Sequence, residues 1–303
     1  MKRMIRLFVF VTIWMIAGCT KKEDVAVTQP LLSSPAPDES IVERIKPEEY
    51  PLTQGSNPTI RISEELFTKF TGYYEAETSV EKIKHTGTSE SYIDFMKEGS
   101  KYEMIIAQQP DPETEKELQG TLFKPIAKDA LVFITNRSNP VNRLSIDEIK
   151  RILSGEITNW KSVGGRDESI NLFRRNESGG SQILLDKYVL KGAKMTNVPK
   201  KNITNDMSAM SNQVAMKTSE GSTFGYTTYY FSEYVHPIKE IKTIEVEGIK
   251  ADYNTLYQNQ YPIISNIYMG IKDAGGPAGN IYHWITSEEG QKLIGDTGYV
   301  PVK

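Results

Sequence analysis

From residue 50 onward, short apolar runs alternate with stretches whose apolar residues recur three or four apart, whereas residues 20–49 show neither pattern. Ile62, Leu66 and Phe70 predict a helix over 60–70, with Asn57 as its N-cap and Pro58 at the first helical position, where the missing N–H costs nothing. A short helix carrying Ile93, Phe95 and Met96 follows the small polar turn at 85–92. Residues 102–107 read as a buried strand, and 122–136 as a strand pair whose second member, 130–135, is almost wholly apolar. Ser145 and Glu148 form a capping box, Leu144 and Ile149 a hydrophobic staple, and Gly155 stops the helix they open. Further on, strands are expected at 170–173, 241–249 and 261–271, a strand or helix at 222–230, helices at 184–189 and 207–216, and two short helices over 279–294. Continuous apolar runs interleaved with helices predict an α/β fold on a parallel sheet covered on both faces.

Between the strand at 170–173 and the helix at 184–189 lie Arg174, Arg175 and the small-residue run Ser178-Gly179-Gly180-Ser181. A strand that turns through glycines into a helix leaves the first helical N–H groups without backbone partners, and the helix dipole adds about half a positive charge there. Such a turn favours an anion, on which Arg174 or Arg175 can close with a forked, always-charged donor set. Two other small polar turns open helices. One holds Ser56 and Thr59, with hydroxyls to spare beside the capping Asn57, and the other holds Thr88 and Ser89. Each pattern taken alone equally describes an ordinary capped turn with solvated side chains.

The chain has 303 residues, 38% of them hydrophobic, and a formal net charge of −3. That suits one or two domains with real cores and lacks the basic excess of a nucleic-acid binder. Lys2, Arg3 and Arg6 precede an apolar run over 7–17 that is short for a membrane span, so residues 1–18 read as a signal peptide. The run ends in Ile16-Ala17-Gly18-Cys19, which resembles the lipobox of bacterial lipoproteins. Cys19 is therefore expected to be the lipidated first residue of the mature chain, carrying palmitate on the extracytoplasmic face of a bacterial membrane. Residues 19–49, rich in proline, serine and charge, are expected to form a disordered tether, with the folded part starting near Tyr50.

A single cysteine excludes an intrachain disulfide and a cysteine-based metal site. His85, His236 and His283 are scattered, without metal-ligand spacing. Ser79-Val-Glu-Lys82 matches the acylation motif of penicillin-recognising enzymes but has neither companion motif, so it reads as a chance match. There is no nucleophile elbow, phosphate-binding Walker loop or dinucleotide fingerprint. The expectation is a binding protein with no catalytic residues, no metal and no cofactor.

Several stretches read together resemble the phosphate-binding proteins of phosphate ABC transporters. They are Val132-Phe-Ile-Thr-Asn136 with Asn139-Pro-Val-Asn-Arg-Leu144, then Ser154-Gly-Glu-Ile-Thr-Asn-Trp160, Arg175-Asn-Glu-Ser-Gly-Gly-Ser-Gln182, Gly225-Tyr226, Asn259-Gln-Tyr-Pro262 and Gly298-Tyr-Val-Pro301. The resemblance covers about residue 50 to the C-terminus. It implies a type 2 periplasmic-binding-protein fold: two α/β lobes, 50–130 plus 264–303 and 131–263, joined by two crossing strands over a ligand cleft. It also implies a monomer that delivers dehydrated phosphate to an ABC permease and binds no nucleic acid. Carried over residue by residue, the phosphate ligands are Ser56, Asn57 and Thr59, then Thr88 and Ser89, then Arg175, Gly179, Gly180 and Ser181, with Ser178 nearby.

The chain departs from that pattern twice. Counting from Arg175 puts Gly179 where the family's first serine belongs, and counting from Arg174 restores Ser178 but puts Gly180 at the last hydroxyl; Arg175 is preferred. Many members also have an acid after the strand matching 105–106, which accepts the proton of hydrogen phosphate, and this chain has Gln108 and Gln109 there. A neutral amide does not repel a fully ionised sulfate, so weaker discrimination against sulfate, or a changed ligand, is expected. The same substitution motivates an alternative, a diverged oxyanion sensor or signalling subunit. An extracellular hydrolase acting through Ser79 or Ser181 is the remaining and least supported reading.

Overall fold

The computed structural model describes residues 42–78, 80–119, 122–216 and 222–303. The signal peptide, Cys19, most of the tether and Ser79 lie outside the described residues. In chain order the elements are β1 (Thr53–Ser56), α1 (Ile60–Thr71), β2 (Ile83–Thr86), α2 (Thr88–Met96), β3 (Met104–Gln108), α3 (Pro112–Glu117) and β4 (Leu122–Asn136). Next come β5 (Arg143–Leu144), α4 (Ile146–Ser154), β6 (Ile170–Leu172), β7 (Arg174–Arg175), α5 (Gly180–Leu185), β8 (Ile203–Thr204), α6 (Met207–Ala215) and β9 (Ser222–Thr228). The chain closes with β10 (Ile241–Val246), α7 (Tyr253–Tyr257), β11 (Ile264–Ile271), α8 (Gly276–Trp284), α9 (Glu288–Asp296) and β12 (Val300–Pro301).

Packing begins a little before the expected start at Tyr50. The Ile45 N–H donates to Phe70 O at 2.9 Å, and Val42 and Ile45 pack against the core that buries Tyr50, Phe67 and Phe70. The last residues of the expected tether are thus part of the folded body, because two apolar side chains among the charges find an apolar surface to cover.

The sheet is mixed, not parallel. β1 pairs in parallel with β2 and β3, but β11 runs antiparallel to β3 and β4, and β9 and β10 antiparallel to β4. A continuous apolar run reports burial on both faces, and burial says nothing of strand direction. The expected strand pair over 122–136 is one strand of 15 residues. Its first half pairs with β11 and β12 and its second half with β9 and β10, so it passes from one half of the molecule to the other. Lys128 and Asp129 look like a break in the sequence, yet both are buried at this crossing. Lys128 Nζ donates to Tyr257 O at 3.0 Å, and Asp129 Oδ1 accepts from Ala130 N and Tyr230 N at 2.8 and 2.9 Å. The return passage lies just before β11, where Leu131 N donates to Ile263 O at 3.1 Å.

Burial falls into separate cores on the two sides of this crossing. One gathers Leu131 to Ile134, Trp160, Leu184, Leu185, Phe224 and Tyr226. Another gathers Tyr50, Leu66, Phe67, Ile106, Met269, Ile281 and Tyr299, beside a small third cluster around Tyr92 and Ala107.

The expected capping box holds, with Glu148 N donating to Ser145 Oγ at 3.1 Å and Glu148 Oε2 accepting from Ser145 N at 2.8 Å. Gly155 ends α4 at φ 84°, a left-handed conformation that glycine adopts without steric cost. The Ser154–Trp160 segment proves structural. Asn159 Oδ1 caps the turn that follows by accepting from Lys161 N at 2.9 Å, and the buried Trp160 donates Nε1–H to Ser222 O at 3.0 Å.

Candidate binding site

Three strand-to-helix turns form as the sequence predicts, after β1, β2 and β7. Because β1, β2 and β3 are parallel and in register, with Ser56 beside Thr86 and Gly55 beside Ile106, their carboxyl ends lie together at one edge. In open α/β sheets that edge is where ligands bind. The first turn differs in detail from expectation. Ser56 occupies the cap of a short 3₁₀ turn over Asn57–Thr59, α1 starts only at Ile60, and Asn57 is exposed.

The hydroxyls around this edge have different duties. Ser56 Oγ is buried and accepts the Gln108 N–H at 2.9 Å, which leaves its own proton to donate. Thr59 Oγ1 is 2.6 Å from Ile106 O and 2.9 Å from Ser56 O, so its single proton is committed to backbone and it locks the turn. Thr88 is buried at the first position of α2, with Ser89 half-buried beside it. The opening N–H groups of that helix have no partner within it.

The third turn comes from the other half of the molecule and meets this edge. A Cβ on Gly180 would run into Gln108 Oε1 and lie 2.6 Å from Thr88 Oγ1. Only glycine permits so close an approach of the α5 N-terminus to the end of β3. One residue earlier, the Cβ position of Gly179 is 3.0 Å from Arg175 Nη2. The turn thereby places a guanidinium, a helix N-terminus, the Gln108 amide and the Thr88 hydroxyl side by side. Ser181 is buried at the start of α5, whereas Ser178 is exposed.

Polar atoms without partners concentrate here. Both amide atoms of Gln108, Nε of Arg175, Nε of Arg174, Oδ1 of Asn176 and Oγ of Ser181 are buried and make no hydrogen bond among the described residues. Each such group costs about 1–3 kcal/mol of desolvation if left unmet, so a cluster of them points to a ligand.

Arg175 is 7% exposed and anchored by its backbone N–H to Tyr226 OH at 2.8 Å and by Nη2 to Asn205 O at 3.0 Å. Burial pulls its guanidinium below the ordinary arginine range, opposed by the field of Tyr226 and Asp206. It has no carboxylate in salt-bridge contact among the described residues, so its positive charge is left for an anion to balance. Arg174 leaves β7 on the other face, near Glu177 Oε1 at 3.8 Å. The Tyr226 hydroxyl also donates to Gln182 Oε1, and burial raises its pKa well above the usual tyrosine value. Tyr226, which also belongs to the stretches that resemble the family, seats the arginine from β9, and Asn205, which carries no local sequence signal, from the loop after β8.

Gln109 is buried as well, but its Oε1 accepts from Tyr188 OH at 2.7 Å. Of the residues singled out in the sequence, the structure brings together Ser56, Thr88, Gln108, Arg175, Gly179, Gly180 and Ser181. Thr59 stands behind them, Gln109 beside them, and Asn57 and Ser178 face solvent. Among the described residues no group of three or more His, Cys, Asp or Glu is placed to hold a metal ion, and no helix is long and apolar enough to cross a membrane.

The sequence profile of the PBP superfamily domain matches residues 36–289. Phosphate-binding protein PstS of Bacillus subtilis is 31% identical over 179 residues, an alignment covering 57% of this chain and 56% of that protein. Phosphate-binding protein PstS of Borreliella burgdorferi is 27% identical over 195 residues, covering 63% of this chain and 70% of the relative. The chain thus matches little more than half of the Bacillus protein. The crystal structure of a phosphate ABC transporter substrate-binding protein from Clostridium perfringens, with bound phosphate, superposes at a TM-score of 0.66 with 23% identity, over 83% of this chain and 99% of that one. At that identity the likeness is one of fold.

Proposed function

The chain belongs to the PBP superfamily, and we propose that it captures inorganic phosphate in the cleft around Gln108, Arg175 and Ser181 and delivers it to an ABC permease. The observation that carries this reading is the cluster of buried, unpartnered polar atoms at the meeting of two helix N-termini, next to an arginine with no carboxylate in salt-bridge contact among the described residues. A tetrahedral oxyanion meets several of them at once: its oxygens accept from Arg175, from the hydroxyls of Ser56, Thr88 and Ser181, and from the opening N–H groups of α2 and α5. The curated relatives described above, named for phosphate binding, support the same ligand. Each charge-assisted bond contributes about 1.5–3 kcal/mol, so several of them support micromolar binding or better after ordering costs.

In this reading Ser56, Thr88, Ser181, Gly179, Gly180, Arg175 and Gln108 contact the anion, with Ser89 at the rim, while Thr59 and Gln109 support them. The lobes comprise about 50–130 plus 264–303 and 131–263. The separate cores and the passage of β4 between them support that division. Cys19 anchors the protein by lipid outside the cytoplasmic membrane after removal of residues 1–18, residues 20–41 serve as the tether, and the protein works as a monomer without catalysis. The lipobox-like Ile16-Ala17-Gly18-Cys19 supports the anchor.

Gln108 offers both a donor and an acceptor: Oε1 accepts a hydrogen bond from the O–H of hydrogen phosphate and Nε2 donates to another oxygen, while against sulfate the neutral amide adds no charge repulsion. Sulfate is therefore expected to compete with phosphate more effectively than at a site with a buried carboxylate. Isothermal titration with phosphate, alone and in excess sulfate, tests this. Tight phosphate binding that sulfate in large excess leaves untouched refutes the role given to Gln108, and no binding of either anion refutes the function.

A further inference from the structure

The segment that begins at Gly180 reaches the opposite half of the molecule at three points. α5 continues as a wider π turn over Asp186–Leu190, and its apolar side chains Leu184, Leu185, Val189 and Leu190 belong to the core around Trp160 and Phe224. Gly180 meets Gln108 and Thr88, as described above. Tyr188 OH donates to Gln109 Oε1 at 2.7 Å, and Lys187 Nζ makes a salt bridge to Glu115 Oε2 on α3. Gln109 follows β3 directly, and α3 packs near the cluster of Tyr92, Ala107 and Leu118.

We propose that Lys187 and Tyr188, with Glu115 and Gln109, form a latch across the cleft that fixes the α5 N-terminus over Gln108 and sets how fast a bound anion leaves. This rests on the reading of the cleft as an oxyanion site. One continuous helical segment carries both the anion-facing end and the latch, so seating the latch registers the end. The segment is braced internally, with Gln182 Nε2 donating to Asp186 Oδ1 at 3.0 Å and Gln182 Oε1 accepting from Tyr226.

The contacts are shielded enough to matter. The Lys187 side chain is 19% exposed and that of Glu115 37%, so salt screens the pair less than a pair on open surface. Gln109 is 4% exposed, and losing the tyrosine hydroxyl leaves its Oε1 buried without a partner. An anion enters while the lobes are apart and the latch unformed; it leaves only after the latch breaks. The latch therefore acts on dissociation and not on association. Lys187 and Tyr188 are positioning residues: they act through the placement of α5 and do not touch the anion.

The test measures phosphate association and release by stopped flow on the purified full-length protein, with Lys187→Glu, Glu115→Lys, the charge-swapped double variant and Tyr188→Phe. Each single variant is expected to speed release about tenfold or more while leaving association within about twofold. The double swap is expected to return release to within about threefold of wild type, a rescue that a general loss of stability would not produce. Release unchanged in every single variant, or a double swap no better than either charge variant, overturns the latch. Should wild-type protein bind no phosphate, the reading of the cleft fails, and the latch, which acts only on a bound anion, is overturned with it; binding with unchanged release overturns the latch alone.

Discussion

Arg175 and Arg174 are neighbours in a two-residue strand, and their side chains depart on opposite faces. Only Arg175 has its guanidinium beside Gly179 and seated by Asn205 O. Arg175→Ala is expected to weaken phosphate binding by about 10- to 100-fold, the loss of one or two charge-assisted bonds, in a calorimetric titration. Arg175→Lys recovers little of this, because a point charge on a flexible stem does not reproduce the fork. Arg174→Ala is expected to stay within about threefold of wild type, since its one salt bridge is to an exposed Glu177 and its charge otherwise acts on Asp186 and Tyr226. Gln108→Glu keeps the shape of the side chain and adds a buried negative charge. Sulfate affinity is expected to fall about tenfold or more, while phosphate, which can give a proton to the carboxylate, changes far less. The pair of arginines shows how far local sequence carries. Two adjacent guanidinium groups announce an anion site, but the choice between them depends on Tyr226 and Asn205, 51 and 30 residues away along the chain.

At the scale of elements, the strand-to-helix turns were the most legible features, because small polar residues and glycines leave few alternatives to a capped, close-approaching turn. The 15-residue β4 was not legible as one strand. Its charged pair at 128–129 resembles a loop until the third dimension supplies Tyr257 O and the Ala130 and Tyr230 N–H groups. Two tests belong to this scale. Gly180→Ala adds a Cβ against Gln108 Oε1 and Thr88 Oγ1, so the third turn can no longer seat. Phosphate affinity is expected to fall about tenfold or more, with little change in the melting temperature of the ligand-free protein, since alanine favours the helix.

The second test concerns Asp129, at the crossing. Burial pushes its carboxyl up to about 6, held back by the N–H groups of Tyr230 and Ala130. A raised folded pKa means that the folded state binds more protons than the unfolded state between about pH 4 and 6, so this residue costs stability as pH rises through that window. Asp129→Asn removes the titration and retains an acceptor for both N–H groups. The stability of the variant relative to wild type, followed by urea unfolding, is expected to improve from pH 4 to pH 7 by up to about 3 kcal/mol. His85 moves the other way, its imidazole pushed down to about 4 by burial, so its own contribution grows from pH 4 to about 6.5. The two offset each other in the wild-type profile, and a pH-independent difference between Asp129→Asn and wild type contradicts the assignment at Asp129.

At the scale of the whole molecule, the two-lobe α/β plan was legible through the family resemblance; the PBP superfamily match runs over 36–289, starting earlier than the expected residue 50. The mixed strand order was not legible, because apolar runs do not encode direction. Nor was the bridging of the lobes by Tyr188 and Lys187, which lies between residues 72 to 79 apart in sequence. The segment Ser154 to Trp160, one of the stretches that carry the resemblance, builds the core of one half by a helix stop, a cap and a buried indole.

The account turns on buried donors from both halves sharing one oxyanion, and calorimetric titration of phosphate into wild-type protein and the Arg175→Ala variant tests it most directly. The expected result is one site per chain with a dissociation constant of about 1 μM or below, equivalent to about −8 kcal/mol, weakened at least tenfold in the variant. Saturation absent up to millimolar phosphate, or equal affinity in the two proteins, contradicts it.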